Sequence, residues 1–165
     1  MEPRHLALMR HAKSSWDDPN LDDHDRPLTA RGRRAASRVG DYLRHNGILP
    51  DVVLCSSATR TRQTLELLDL GAHPEVVVSD DLYGCGAGDM LARLRQTADP
   101  VASVLLIGHN PGIHELAVSL AGNPEAIPSF PTAGLADLRA PILTWSDLHP
   151  GGATLHAFIT PKGLD

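Results

Sequence analysis

An arginine and a histidine follow the first apolar segment of the chain. Residues 6–9 are apolar and run directly into Arg10 and His11, a pattern typical of a short buried strand that ends in a polar loop. In open α/β sheets, ligands bind outside the carboxyl ends of the strands. An imidazole there can act as a nucleophile, a base or a metal ligand. A guanidinium beside it can grip a phosphate or a carboxylate with two parallel hydrogen bonds. The segment therefore predicts an anion site at which His11 is available for chemistry.

Polar residues also follow the three later apolar segments. Arg60 comes shortly after the second segment and His109 directly after the fourth, whereas Asp80 and Asp81 follow the third. If the strands are parallel, these groups share one edge of the sheet, where arginines, histidines and free helix-start amides would converge on a dianion such as phosphate. Arg60 is unfavourable for the dipole of its helix, which indicates another reason for its presence. The ordinary alternatives are a salt bridge between Arg60 and an aspartate, and a helix cap formed by His109.

The positions of these residues depend on alternating strands and helices. The predicted strands are 6–9, 51–55, 75–78 and 101–107, followed by two less regular strands at 133–139 and 154–160. The predicted helices are the segment between Thr29, the predicted N-cap, and Gly47, the predicted stop, then 58–69, 89–97 and 112–121. This alternation favours a mainly parallel sheet with helices on both faces. We therefore expect an α/β fold, a three-layer αβα sandwich, with residues 1–165 forming a single domain.

Two further features concern the loops. The long segment 12–27 is rich in Asp, Pro and Ser, and loops of that length in compact domains are often functional. Trp16 and Trp145 are interpreted as packing residues, because indole rings bury a large area. The remaining histidines, His24 among them, are interpreted as surface or packing residues.

Composition excludes several classes of protein. The net charge is −5 and 42% of the residues are hydrophobic, which favours a globular protein and argues against a general nucleic-acid binder. No segment is typical of a signal peptide or of a membrane span, so no membrane partner is expected. Cys55 and Cys85 have no CxxC context, and His109 and His114 are five residues apart rather than four. We therefore predict no metal or other cofactor, no disulfide, and a location in the reducing cytoplasm.

Five short motifs are distributed along most of the chain. In chain order they are RHAKSSW at 10–16, DRPLT at 25–29 with Gly32, SSATRTRQT at 56–64, GHNPG at 108–112 and ITPKGL at 159–164. Together they resemble the histidine phosphatase superfamily, and in particular its small SixA-type branch of phosphohistidine phosphatases. The resemblance implies a phosphoglycerate mutase-like fold and a phosphatase in which His11 is the nucleophile and forms a phosphohistidine intermediate. It further implies that Arg10, Arg60, His109 and Asn110 bind the phosphoryl group.

The sequence departs from the family pattern at two places. Asp17 stands where related mutases often carry an asparagine that helps to bind phosphate. The usual proton donor of the superfamily is a glutamate in the loop after the third strand, where this chain has Asp80 and Asp81. We take Asp81 as the candidate acid, with Asp80 and Asp18 as the alternatives.

The short, glycine-rich loop after the third strand carries no visible cap insertion, so an open site is expected. An open site suits a phosphorylated protein, and protein phosphohistidine is the leading substrate. The alternatives are a small phosphate ester as substrate, or a phosphate-binding module without catalytic activity.

Overall fold

A computed structural model describes residues 2–164. Over that range the chain forms one six-stranded sheet and four α-helices. In chain order these are β1 (Arg4–Arg10), α1 (Ala30–His45), β2 (Val52–Ser56), α2 (Thr59–Leu68), β3 (Glu75–Ser79), α3 (Ala87–Leu94), β4 (Ser103–Gly108), α4 (Gly112–Ala121), β5 (Leu135–Ala140) and β6 (Thr154–Ile159). None of these helices combines the length and the apolar composition that a membrane crossing needs.

The sheet has the strand order β3-β2-β4-β1-β5-β6. The strands β1 to β4 are mutually parallel, as the alternation of strands and helices predicts. β5 pairs antiparallel with β1, and β6 pairs antiparallel with β5. Because β1 and β4 are central neighbours, the residues that follow them are brought together at one edge of the sheet.

Side chains alternate between the two faces along β1. Leu8 packs in a core with Leu116 of α4, whereas Met9 packs in a second core with Val39 of α1. Successive side chains of a strand point to opposite faces, so a strand buried on both faces is apolar throughout. The two cores confirm the three-layer αβα arrangement.

Helix α1 begins where its capping residue predicts. The Thr29 hydroxyl accepts a hydrogen bond from the backbone N–H of Gly32 (2.9 Å), and Gly47 follows the helix with φ +66°, a conformation that favours glycine. A Cβ atom on Gly32 would collide with the carbonyl oxygen of Lys13. Glycine at this position therefore lets α1 lie directly against the loop that follows β1.

Helix α3 is shifted from the predicted range 89–97. It begins at Ala87 and ends at Leu94. The Asp89 carboxylate accepts a hydrogen bond from the backbone N–H of Gly86 (3.1 Å), so Asp89 lies in the first turn of the helix rather than before it.

Trp145 is fully buried and its indole N–H donates to the carbonyl of Val101 (2.7 Å), which confirms its interpretation as a packing residue.

Candidate active site

The backbone at the end of β1 is held from two sides. The N–H of His11 donates to the carbonyl of Gly108 at the end of β4 (3.1 Å). The N–H of Ala12 donates to the Thr64 hydroxyl (3.0 Å), which itself donates to the carbonyl of Arg60 in α2 (2.7 Å). The sheet and α2 together therefore determine the position of His11.

The imidazole of His11 is held as a neutral base. Its Nδ1 lies 2.7 Å from the carbonyl oxygen of Ala12, and because a carbonyl can only accept, Nδ1 carries the hydrogen and Nε2 keeps its lone pair. Burial lowers the pKa of His11 to about 3, and nearby positive groups act in the same direction, outweighing the rise caused by the Ala12 carbonyl. At neutral pH, Nε2 therefore carries an unprotonated lone pair and is able to act as a nucleophile.

His109 lies beside His11, with the ring centroids 5.2 Å apart. Its Nε2 is 2.8 Å from the Ser56 hydroxyl. Burial, reinforced by Arg60, lowers the pKa of His109 to about 4. Its Nδ1 is buried and has no hydrogen-bond partner within residues 2–164. If Ser56 donates to Nε2, the neutral ring presents an N–H at Nδ1.

Arg10 and Asn110 are fastened to the same backbone atom. The Arg10 guanidinium (3.1 Å) and the Asn110 amide (2.9 Å) both donate to the carbonyl of Phe130, in the loop before β5. Burial and the neighbouring charge of Arg60 lower the pKa of Arg10. A phosphate dianion bound beside both guanidinium groups would relieve their mutual repulsion.

Arg60, in the first turn of α2, is buried and paired with an aspartate. Its guanidinium donates to the Asp23 carbonyl (2.7 Å) and to the Asp23 carboxylate (3.0 Å). The salt bridge that was the ordinary alternative for Arg60 is thus present, yet Arg60 also lines the same pocket as His11 and His109. The two interpretations are compatible, because Asp23 fixes the orientation in which the guanidinium faces the pocket.

Asp23 was not singled out by sequence, although it holds three groups of the site. Its carboxylate also accepts hydrogen bonds from the Tyr83 hydroxyl (2.6 Å) and from Arg26 (3.1 Å). The bond from Tyr83, followed by those from Arg60 and Arg26, holds the pKa of Asp23 well below its usual range, against the effect of burial. Asp23 is one of five aspartates in 17–25, and two of its three partners, Arg60 and Tyr83, come from distant parts of the chain, so local sequence carried no signal to select it.

The loop after β3 contributes a tyrosine to the site. The ring of Tyr83 lies edge-on to His109, with centroids 5.6 Å apart, and also to His24, at 4.8 Å. His24 Nε2 lies 2.9 Å from the Ser57 hydroxyl. His24 is thus a half-buried residue that packs against Tyr83 at the margin of the site.

The candidate acids lie apart from this cluster. Asp80 and Asp81 are exposed, in a short turn after β3, and neither lines the pocket that contains His11. β3 is an edge strand, separated from β1 by β2 and β4, and the turn that directly follows it lies outside the pocket, whereas Tyr83, two residues beyond Asp81, reaches His109. Asp17 and Asp18 are also exposed and also do not line that pocket. The role of Asp81 as the proton donor stays a prediction.

The pocket has a volume of about 310 Å³. Its lining is basic and polar and consists of Arg10, His11, Lys13, Ser14, Trp16, Arg26, Arg60, His109, Asn110 and Thr132. Sequence analysis missed Lys13, Ser14, Arg26 and Thr132 as lining residues. Trp16 was interpreted as a packing residue, which is wrong: 76% of it is exposed, and the guanidinium of Arg26 lies 3.5 Å from its ring centroid. One face of the indole contacts the guanidinium of Arg26, and the ring does not pack in the core.

The arrangement fits phosphoryl transfer through a covalent intermediate. A neutral imidazole stands among guanidinium groups, an amide and a second imidazole, which is the mixture of nucleophile and charge stabilisation that such a reaction needs. Within residues 2–164, no three His, Cys, Asp or Glu side chains are grouped as metal ligands would be.

Comparison with known proteins bears on the family. A model of the histidine phosphatase superfamily (branch 1) matches residues 6–99. An uncharacterised protein of Mycobacterium tuberculosis is 40% identical over 162 residues, which cover 93% of this chain and 100% of that protein. The phosphohistidine phosphatase SixA of Escherichia coli K12 is 31% identical over 139 residues, which cover 81% of this chain and 83% of SixA.

A solved structure agrees with these sequence matches. It is a proposed phosphohistidine phosphatase SixA of Nakamurella multipartitia, 34% identical, with a TM-score of 0.90 and a coverage of 98% of each chain. The family match extends over more than half of the chain, and the structural match covers nearly all of it. The chain therefore belongs to the histidine phosphatase superfamily, and its activity class is that of a phosphatase, a hydrolase of phosphoric monoesters.

Proposed function

We propose that the chain removes phosphoryl groups from phosphohistidine on proteins, with His11 as the nucleophile. In the first step, Nε2 of His11 attacks the phosphorus atom, a new N–P bond forms, and the N–P bond of the substrate breaks with its electron pair leaving on the substrate imidazole. In the second step, water attacks the phosphorus on His11, the N–P bond breaks with its electron pair returning to Nε2, and the phosphoryl group leaves as dihydrogen phosphate with the oxygen and both protons of the water. Arg10, Arg60, Asn110 and the Nδ1–H of His109 hold the phosphoryl oxygens in both steps.

The ionised state of Asp23 is the observation that favours phosphohistidine over phosphoserine as the substrate. The Asp23 carboxylate is bound to the pocket residue Arg60, and the hydrogen bonds from its three donors keep it unprotonated. Asp23 is therefore poorly suited to donate a proton to a leaving group. A serine alkoxide needs such a proton, and general acid catalysis contributes about 10²–10⁴ in rate. The imidazole of phosphohistidine can already carry a proton on its distal nitrogen and can leave as a neutral molecule without an acid.

SixA of Escherichia coli, by its name a phosphohistidine phosphatase, supports the same choice of substrate. We assign Asp81 to ester substrates only, as the group that would protonate an alkoxide. Small phosphate esters remain the second candidate, because a pocket of about 310 Å³ also accommodates a small molecule. The alternative of a module without catalytic activity is not retained for a member of this family. We place the activity in the cytoplasm as part of the proposal, in keeping with the free thiols of Cys55 and Cys85.

A substrate panel tests the proposal. We expect kcat/KM to be at least about tenfold higher for a phosphohistidine peptide than for the same peptide with phosphoserine, since only the second substrate needs the acid. Incubation with substrate followed by rapid denaturation should trap an acid-labile, base-stable phosphoryl group on the wild type. His11→Ala should abolish both the turnover and the trapped group.

The matched control is His156→Ala, which removes an exposed histidine on β6 and should keep both activities. Melting temperatures check that each variant is folded. Persistent turnover by His11→Ala, or a trapped group on another residue, contradicts the assignment of the nucleophile. A higher kcat/KM for phosphoserine contradicts the proposed substrate.

A further inference from the structure

A second, larger cavity lies beside the pocket that contains His11, which we call the catalytic pocket. It has a volume of about 730 Å³, and four of its ten lining residues are basic: Lys13, Arg31, Arg38 and Lys162. Among residues 2–164, no aspartate or glutamate lines it. We call this cavity the basic groove.

One face of α1 forms a wall of the basic groove. Arg31, Ala35 and Arg38 lie at positions i, i+4 and i+7 of the helix, a spacing that places them on the same face. Seven residues of an α-helix span about 10 Å, which is about the length of three residues of an extended peptide. The small side chain of Ala35 leaves room between the two arginines.

The opposite wall comes from the end of the chain and from the loop before β5. Pro161 and Lys162 lie just beyond β6, and Pro131 and Thr132 lie just before β5. Lys13, Arg31 and Lys162 are exposed, so their charges are accessible to a ligand. The groove is thus a channel with basic and apolar walls rather than a single anion-sized hole.

The basic groove is continuous with the catalytic pocket. Lys13 and Thr132 line both cavities. The close approach of Gly32 to the carbonyl of Lys13 maintains this junction, and the Lys13 carbonyl also accepts the backbone N–H of Thr29 (2.9 Å). A ligand whose phosphoryl group occupies the pocket can therefore continue into the groove.

The charge of the groove contrasts with that of the whole chain. The protein carries 20 acidic and 15 basic residues, a net charge of −5, so a lining with the exposed cations Lys13, Arg31 and Lys162 is opposite in sign to the molecule. Such a local concentration of one sign attracts ligands of the opposite sign and orients them.

We propose that the basic groove binds acidic residues that flank the phosphorylated residue of a protein substrate. The inference rests on the proposed function, because it takes the ligand in the catalytic pocket to be part of a polypeptide. The length of the groove favours a polypeptide over a small phosphate ester, since a second anionic group on a small ester would need only one of the cations. Substrates with glutamate or aspartate beside the phosphorylated residue are bound more tightly than those with neutral flanks.

Calorimetry with two peptides tests this selectivity. Both contain a non-hydrolysable triazolyl phosphonate in place of phosphohistidine, flanked on each side by glutamates in one peptide and by glutamines in the other. Exposed ion pairs each contribute modestly, so we expect a Kd about three- to tenfold lower for the glutamate peptide at low salt. The preference should decline when the salt concentration is raised, because salt screens exposed charges.

Two double variants separate the groove from general charge. Arg31→Gln with Lys162→Gln removes two groove cations without touching the catalytic pocket, and it should abolish most of the preference. The matched control, Arg33→Gln with Arg34→Gln, removes two exposed arginines of the same helix that do not line the groove, and it should keep the preference. Equal Kd values in the wild type overturn the proposal, as does an equal loss of preference in both double variants.

Turnover of a hydrolysable phosphohistidine peptide is measured separately. If the glutamate peptide is preferred but phosphohistidine is not hydrolysed, the proposed function fails while the acidic selectivity of the groove stands. If phosphohistidine is hydrolysed equally well with either type of flank and binding shows no preference, the groove proposal fails while the proposed function stands.

Discussion

Asp23 connects the groups on which the chemistry depends. Its carboxylate accepts hydrogen bonds from Arg26, Arg60 and Tyr83, and two of these residues also line the catalytic pocket. A guanidinium bound at two points has a defined orientation, because its donors form a rigid planar fork. We therefore assign Asp23 the role of a positioning residue rather than that of an acid.

Removing the charge of Asp23 should lower kcat strongly and the melting temperature only slightly. Asp23→Asn keeps the shape of the side chain but removes the charge that orients Arg60, and a small misplacement of a catalytic group can cost about 10²-fold in rate. We expect kcat to fall by about ten- to a hundredfold, with partial recovery in Asp23→Glu, which keeps the charge. Steady-state kinetics and melting curves measure the two effects.

Asp22→Asn is the matched control for this prediction, because Asp22 is an exposed neighbour whose side chain makes no capping bond. It should retain wild-type kinetics. A normal kcat in Asp23→Asn would show that Arg60 keeps its orientation without the carboxylate.

At the scale of elements, strand order decides which residues meet. β1 and β4 are adjacent in the middle of the sheet, so Arg10, His11 and His109 converge, whereas the turn after the edge strand β3 leaves Asp81 outside the pocket. Helix α1 is the second determinant, since its close contact with the loop after β1 holds one side of the pocket and opens the basic groove beside it.

Two glycines of α1 allow this contact to be tested. A Cβ on Gly32 would collide with the carbonyl of Lys13, and a Cβ on Gly40 would collide with the backbone of Leu68 at the end of α2. Overpacking of this kind typically costs about 1–3 kcal/mol, so both Gly32→Ala and Gly40→Ala should lower the free energy of unfolding in urea. Only Gly32→Ala should also lower kcat/KM, because Lys13 lines the pocket.

Each glycine variant serves as the control for the other. An equal loss of kcat/KM in both would mean that activity follows global stability. An unchanged kcat/KM in Gly32→Ala would mean that the loop adapts without moving the pocket.

At the scale of the whole molecule, the site makes stability depend on pH. The pKa of His11 is about 3 in the folded protein, against 6.5 for an unperturbed histidine, chiefly because of burial. Between these values the unfolded chain binds a proton at this position that the folded chain does not. The stability is therefore complete above about pH 6.5 and declines as the pH falls. His109, with its pKa of about 4, acts in the same direction.

His11→Gln should weaken this dependence. At pH 5, His11 alone should reduce the free energy of unfolding by about 2 kcal/mol relative to neutral pH, and the variant, which cannot titrate there, should be spared that part of the loss. Urea unfolding of both proteins at about pH 7.5 and pH 5 gives the comparison. An identical decline in the two proteins would show that His11 is protonated in the folded state.

Much of the fold and half of the site follow from the sequence alone. The alternation of apolar and helical segments predicted the parallel sheet and its two helical layers, because such units can bury their apolar faces only in that way. Arg10, His11, Arg60 and His109 were found because each comes directly or shortly after a strand, and parallel strands share one edge. Thr29 was found as a cap because capping depends on residues three apart.

Other features were decided only by tertiary structure. The role of Asp23 depends on Arg60 and Tyr83, which lie 37 and 60 residues further along the chain. Trp16 lies outside the core and is exposed, and its ring contacts the guanidinium of Arg26. The basic groove joins α1 to residues beyond β6. Sequence patterns report the periodicity of single elements, whereas the paths of loops and the contacts between distant segments depend on how the whole chain packs.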